Sequence, residues 1–261
     1  MPIVAGSDPV ADILAAHAAP FALELWRAVE AQHKIATMVL VDTLDEQALL
    51  ESLLDQSKPP LPESLRRLHW LLFTPFRYPP LPNGSRFRGP AEPGVFYGAD
   101  ERRTACAELG YWRWRFLMDS PALDAIGPIP QTLFRTPVAG RGIDLRMPPF
   151  DARREAWTDA VDYAACQAMA REAREEGMQL IRYESVRDPQ SGACAALLAH
   201  AAFAASQPAE TESWMLVVAR QHVIWRHNSV FDDGAFEFDA GAWVGKPVSG
   251  WRQGYFLDQR L

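Results

Sequence analysis

Arg86, Tyr97 and Glu108 follow one another at equal intervals, and Ser185 stands far downstream in the stretch RYESVRDP. A guanidinium, a phenol, a carboxylate and a hydroxyl could together bind and polarise a small molecule. On a helix, Ala105, Glu108, Leu109, Trp112 and Phe116 share one face, so the Glu108 carboxylate points along an apolar stripe. An acid placed there needs a partner or a polar cavity. Two outcomes are open: an ion pair with Arg115 or Arg86, or a place in a cleft. Tyr97 is either a core aromatic with a satisfied hydroxyl or a flat platform for a substrate. Ser185 sits where a strand hands over to a turn, a position that suits a turn-forming hydroxyl and a functional side chain alike.

Other chemistries find no support. The histidines at 17, 33, 69, 200, 222 and 227 form no HExxH, and no CxxC pair exists, so a metal centre is not expected. No G-x-S-x-G elbow is present. Gly140-Arg141-Gly142 is followed by Leu145 where a dinucleotide fingerprint needs glycine, and a phosphate loop of the G-x-x-x-x-G-K type is missing.

The elements that must position these residues can be read from pattern. Residues 1–75 read as mostly helical, with one helix over Asp45 to Gln56 and a second starting at Pro62. Pro75 to Pro93 reads as a loop with fixed bends, which places Arg86 in a rigid segment. GVFYG, around Tyr97, is a short strand, and Glu101 to Met118 is a helix capped by Asp100. Strands are expected over Gln131 to Val138, Ile143 to Leu145 and Met178 to Tyr183, and a helix from about Ala160 to Glu176 closed by Gly177. WMLVVA and HVIW read as a hairpin or neighbouring strands, and the Gly- and Trp-rich tail as a capping segment. The fold class is α+β, and the chain shows no internal repeat and no clean linker.

With 261 residues, 48% of them hydrophobic, the chain can build a core without disulfides or a structural metal. Cys106, Cys166 and Cys194 are odd in number and lie in alanine-rich surroundings, which fits free thiols in a reducing compartment and a cytoplasmic location. Neither a secretion signal nor a membrane span is legible. A net charge of −7 argues against direct nucleic-acid binding.

The ordered motifs GSRF (Arg86), GVFY (Tyr97), TACAE (Glu108) and RYESVRDP (Ser185) resemble those of the RES-domain family, bacterial toxins of toxin–antitoxin pairs. The resemblance is to the longer branch, in which WRAVEAQHKIATMVLVDTLDEQALLE precedes the first motif; residues 1–75 then form an N-terminal extension packed on a RES domain over 76–261, in one structural unit. It implies an ADP-ribosyltransferase-like core of two small packed β-sheets with flanking helices around a cleft that binds NAD. The implied activity cleaves the nicotinamide–ribose bond without a metal, with phosphate or water as acceptor. The alternatives are transfer of ADP-ribose to a host protein and a vestigial cleft in a non-catalytic binding protein.

The residue roles are implied by the same resemblance. Glu108 would stabilise the oxocarbenium-like ribose. Arg86, with Arg27 of LELWRAVE matching an arginine that opens the domain, would hold the pyrophosphate. Tyr97 would lie against nicotinamide or its ribose, and Ser185 would bond the ribose or carboxamide. Short family members carry an asparagine where this chain offers Cys194, so no polar role carries over to that position. The implied partner is an antitoxin with a helix-turn-helix domain that occludes the cleft.

Overall fold

A computed structural model of the protein describes residues 9–31, 40–79 and 82–244. The expected capping tail lies, from residue 245 on, outside the described residues, as does 32–39 of the segment preceding the first motif. Helix α1 (Pro9–His17) leads into β1 (Ala19–Glu30), a long strand within the region read as helical. Leu, Ala and Glu in β1 favour a helix locally, but twelve consecutive residues pair antiparallel with β3 (Ala125–Asp144), and tertiary pairing overrides propensity. The two strands expected over Gln131 to Val138 and Ile143 to Leu145 are parts of this single β3.

Helix α2 (Leu44–Ser57) forms as expected. At Pro62 only a 3-10 turn follows, over Glu63–Leu65, and the next helix, α3 (Trp70–Arg77), runs through Pro75, where a loop was expected to begin. His69 caps it by accepting from the Leu71 N–H at 3.3 Å. Leu71 and Leu72 of α3 join Phe96, Phe134 and Leu197 in a buried cluster, and this packing offsets the N–H that Pro75 lacks.

The remaining elements are β2 (Phe96–Ala99), α4 (Arg102–Met118), α5 (Arg154–Trp157), α6 (Ala164–Glu175), β4 (Leu180–Glu184), β5 (Ala193–Leu197), β6 (Glu210–Ala219), β7 (His222–His227) and β8 (Ala235–Asp239). Helix α6 begins later than expected, but Gly177 does close it. With φ of +69° its N–H bonds Arg174 O while the Met178 N–H reaches back to Ala173 O, the double bond of a Schellman cap. The N-cap of α4 is Glu101, not Asp100, whose carboxylate is taken by Arg182. WMLVVA and HVIW pair antiparallel across Arg220 and Gln221, as a hairpin.

The α+β architecture is that of a large mixed sheet with flanking helices. The eight strands among the described residues are hydrogen-bonded in the order β1-β2-β5-β4-β3-β6-β7-β8, and β1 also pairs with β3. The two sheets expected are therefore arms of one sheet that share β3: a closed ring β1-β2-β5-β4-β3 and an open extension β6-β7-β8. Helix α4 packs against strands of both arms. Strand alternation sorts side chains between two cores: Phe96 turns to the α3 side, while Tyr97 packs on the cluster shared with α4. By the same period Ile181 and Tyr183 enter that larger cluster, so Ser185, two residues on and just past the end of β4, falls on the same side.

Candidate functional site

The loop before β2 places the first arginine. Gly84, at φ +66°, starts a tight turn in which Ser85 N–H bonds Arg88 O at 2.7 Å and Arg88 N–H bonds Ser85 O at 3.2 Å. A Cβ on Gly84 would lie 2.0 Å from Arg88 O, so the turn requires glycine. The Tyr97 hydroxyl fastens it, accepting from the Phe87 N–H at 2.9 Å and sharing a 2.7 Å hydrogen bond with Ser85 Oγ. Burial pushes that phenol up to about 12. Tyr97 is thus a satisfied aromatic and a cleft residue at once: the hydroxyl holds the Arg86 turn and the residue lines the cavity.

Arg86 is 9% exposed at the tip of this turn. Nη1 donates to Trp157 O at 2.9 Å, and the guanidinium lies 4.5 Å from the ring centroid of Tyr163. Burial opposes its charge, but Tyr163, Cys166, Tyr183 and Glu108 around it outweigh that and raise its pKa. No carboxylate forms an ion pair with it among the described residues, so Nε and Nη2 remain for other partners.

Helix α4 meets the turn after β4 at two side chains one helical turn apart. Thr104 Oγ1 donates to Asp188 Oδ2 at 2.8 Å, and Ser185 Oγ donates to Glu108 Oε1 at 2.5 Å. The Ser185 oxygen in turn accepts from the N–H groups of Arg187 at 3.2 Å and Asp188 at 2.9 Å. The turn-forming reading of Ser185 therefore holds, and the same hydroxyl also bonds the acid. Glu108 does not pair with Arg115, which bonds Asp119, or with Arg86. Its second oxygen, Oε2, makes no hydrogen bond among the described residues.

These residues border a single cleft of about 1070 Å³, its solvent-open mouth included. Arg27, Arg86, Tyr97 and Glu108 line it; Ser185, 2% exposed, lies behind Glu108 and is not on its wall. Arg27 reaches the cleft from β1, with Nη1 donating to Tyr97 O at 2.9 Å and its guanidinium 4.9 Å from the Phe96 ring centroid. The α4 face named from spacing, Ala105, Glu108, Leu109 and Trp112, lines the wall. Cys194 lines it as well, and burial raises its thiol well above the ordinary range, so it is a neutral, small wall residue.

Sequence reasoning missed Trp26, Tyr163 and Arg187 as cleft residues. Arg187 was visible in RYESVRDP but read only as part of a turn, and Tyr163, just before α6, gives no local signal. The wall suits a nucleotide-like ligand: flat rings for a base, guanidinium groups for phosphoryl oxygens and one acid for a sugar. Among the described residues no group of three His, Cys, Asp or Glu side chains could hold a metal ion, and no helix is long and apolar enough to cross a membrane.

In structure, the chain is similar to a chain in the crystal structure of the M. tuberculosis MbcT–MbcA toxin–antitoxin complex, with a TM-score of 0.48 and 14% sequence identity over 80% of this chain and 93% of that chain. No curated protein matches it in sequence. A family model, the RES domain, matches residues 61–219, a span that holds Arg86, Tyr97, Glu108 and Ser185 and exceeds half of the chain. The chain belongs to the RES-domain family.

Proposed function

We propose that this chain is the toxin of a toxin–antitoxin pair and consumes NAD by cleaving the bond between nicotinamide and ribose, with phosphate or water as acceptor. Membership of the RES-domain family supports the toxin part. The observation that carries the chemistry is the state of Glu108: a carboxylate on a cleft wall, held by a hydroxyl instead of an arginine, with Oε2 free.

Loss of the cationic nicotinamide leaves positive charge on the ribose. A fixed carboxylate beside that carbon stabilises the developing charge, and it needs no reorganisation at the moment of reaction. Ser185 keeps Glu108 in one orientation from behind; in this reading it is a positioning residue rather than a ligand to the ribose. Arg86 and Arg27 take the pyrophosphate, and Tyr97 offers its ring while its hydroxyl stays on the Arg86 turn. None of these roles requires a covalent nucleophile. The partner is an antitoxin of the helix-turn-helix type that covers the cleft in the resting complex, and both act in the cytoplasm.

The test is direct. Purified protein with NAD and phosphate should release nicotinamide, and Glu108→Ala should slow release about 10²–10³-fold, the usual range for removing a group aimed at transition-state charge. Equal rates for the two proteins would remove the proposal. ADP-ribose among the products assigns water as acceptor, its 1-phosphate assigns phosphate, and a mass increase on a protein replaces degradation with transfer.

A further inference from the structure

Arg187 lies two residues beyond Ser185, in the turn that ends β4, and has no part in the roles assigned above. It is 2% exposed and lines the cleft. Nη2 donates to Ala160 O at 2.9 Å and to the Tyr163 hydroxyl at 3.2 Å. The guanidinium carbon lies 3.9 Å from the ring centroid of Tyr111 and 5.4 Å from that of Trp112. Among the described residues Nη1 is buried with no hydrogen-bond partner. Among the described residues no carboxylate pairs with it: the adjacent Asp188 is committed to Arg103, Thr104 and the Gln190 N–H.

A guanidinium cannot shed its proton at ordinary pH, so a buried one without a counter-ion is costly and calls for an anion. Aromatic faces and a carbonyl ease the cost without cancelling the charge. Arg86 stands in the same condition across Tyr163, whose ring it covers while Arg187 bonds the hydroxyl. Two buried cations thus share one phenol, against a single carboxylate, Glu108, on the same wall among the described residues. That surplus suits a ligand with more than one negative oxygen.

We infer that Arg187 is an oxyanion-binding residue of the cleft, which takes a phosphoryl group through Nη1. The inference deepens the proposed NAD reaction and rests on it for the choice of ligand. Nη1 is covered in this structure, so a phosphoryl group reaches it only when a neighbouring side chain shifts; Trp112, on the cleft wall with its ring centroid 5.4 Å from the guanidinium, is one such neighbour. The phosphoryl group has two sources, free inorganic phosphate and the pyrophosphate of the dinucleotide.

Calorimetric titration of the purified chain with inorganic phosphate and, separately, with ADP-ribose tests this without turnover. In Arg187→Met the affinity for at least one of them should fall ten-fold or more at an unchanged thermal midpoint, and Arg187→Lys, which keeps the charge but not the fork, should recover part of it. Loss confined to phosphate assigns an acceptor subsite, and loss confined to ADP-ribose assigns the pyrophosphate. Unchanged affinity for both, or binding of neither by the unaltered chain, overturns the inference. Should Arg187→Met not fold, Arg187→Lys decides: a three-fold or larger weakening supports the assignment and wild-type affinity ends it. Arg187-dependent binding in a chain that leaves NAD intact keeps this inference and removes the proposed reaction. NAD consumption with unchanged phosphoryl affinity in Arg187→Met does the reverse.

Discussion

Arginines packed against Trp26, which form a rim outside the cleft's lining, and arginines on the cleft floor are handled in opposite ways. At the rim, beside Trp26, Arg102 bonds Glu212 at 2.6 Å and Glu210 at 3.4 Å, and Arg135 bonds Glu210 and Glu24 at 3.1 Å each. Every cation there faces an acid, although most of these side chains are a third or more exposed. Deeper in, Arg86 and Arg187 are buried and face carbonyls and aromatic rings, and the nearby acid, Glu108, is held by a serine. Solvent would screen the rim charges in any case. The interior would gain much more from neutralisation, yet lacks it. Charge left unpaired where it is expensive is the contrast on which the proposed ligand site rests.

The comparison can be broken most forcefully at Arg86. Replacing it with methionine, which keeps the stem and removes the charge, should lower NAD cleavage about 10²–10³-fold, the range for an electrostatic group fixed in an active site. A rate within a few-fold of wild type would show the floor cation to be as dispensable as one at the rim.

Ser185→Ala comes next. It leaves Glu108 in place but frees its carboxylate to rotate, so kcat should fall about 10–10²-fold with KM near its original value, and Ser185→Thr should restore part of the loss. A rise in KM alone would place the hydroxyl on the substrate instead of behind the acid. The same change leaves the Arg187 and Asp188 N–H groups without their acceptor, so stability should drop by about 1 kcal/mol.

Tyr97→Phe separates the hydroxyl from the ring. Loss of the fastener on the Arg86 turn should cost about 1 kcal/mol at neutral pH in a denaturant titration. The phenol is held near 12 in the folded chain against an ordinary value near 10, so the native state keeps its proton longer than the unfolded chain does. The stability linked to that proton is intact below pH ~10 and is lost as pH rises through about 12. The variant should therefore show a shallower alkaline decline than wild type.

The smallest effect belongs to the rim. Glu210→Gln removes an acid shared by Arg102 and Arg135, yet it should cost less than about 1 kcal/mol, and added salt should shrink the difference. A larger, salt-insensitive loss would mean that the rim network is structural and that the contrast with the floor is weaker than its geometry indicates.

Much of the local structure was legible because it depends on neighbours in the chain. The glycine stop at Gly177, the helix α4 with Glu108 and Trp112 on one face, the short strand at Tyr97 and the β6–β7 hairpin all follow from periodicity and turn chemistry. β1 did not, because its pairing with β3 joins residues more than a hundred positions apart, and no local pattern records that. The helix through Pro75 was hidden for a similar reason: its stabilising contacts come from Phe96, Phe134 and Leu197 on distant strands.

The sequence by itself determined which side chains could carry chemistry, and the ordered motifs sufficed to place the chain among its relatives. It also determined that Glu108 must rise from an apolar helix face, since helical spacing alone fixes that. Only the tertiary structure decided how that acid is satisfied, because the partner it meets depends on how α4 meets the turn after β4. The same packing decided that Ser185 stands behind Glu108, that Arg27 reaches the cleft from a strand, and that Arg187 is buried without a counter-ion among the described residues. Charge compensation is a property of assembled neighbours in space, and a chain read in one dimension does not contain it.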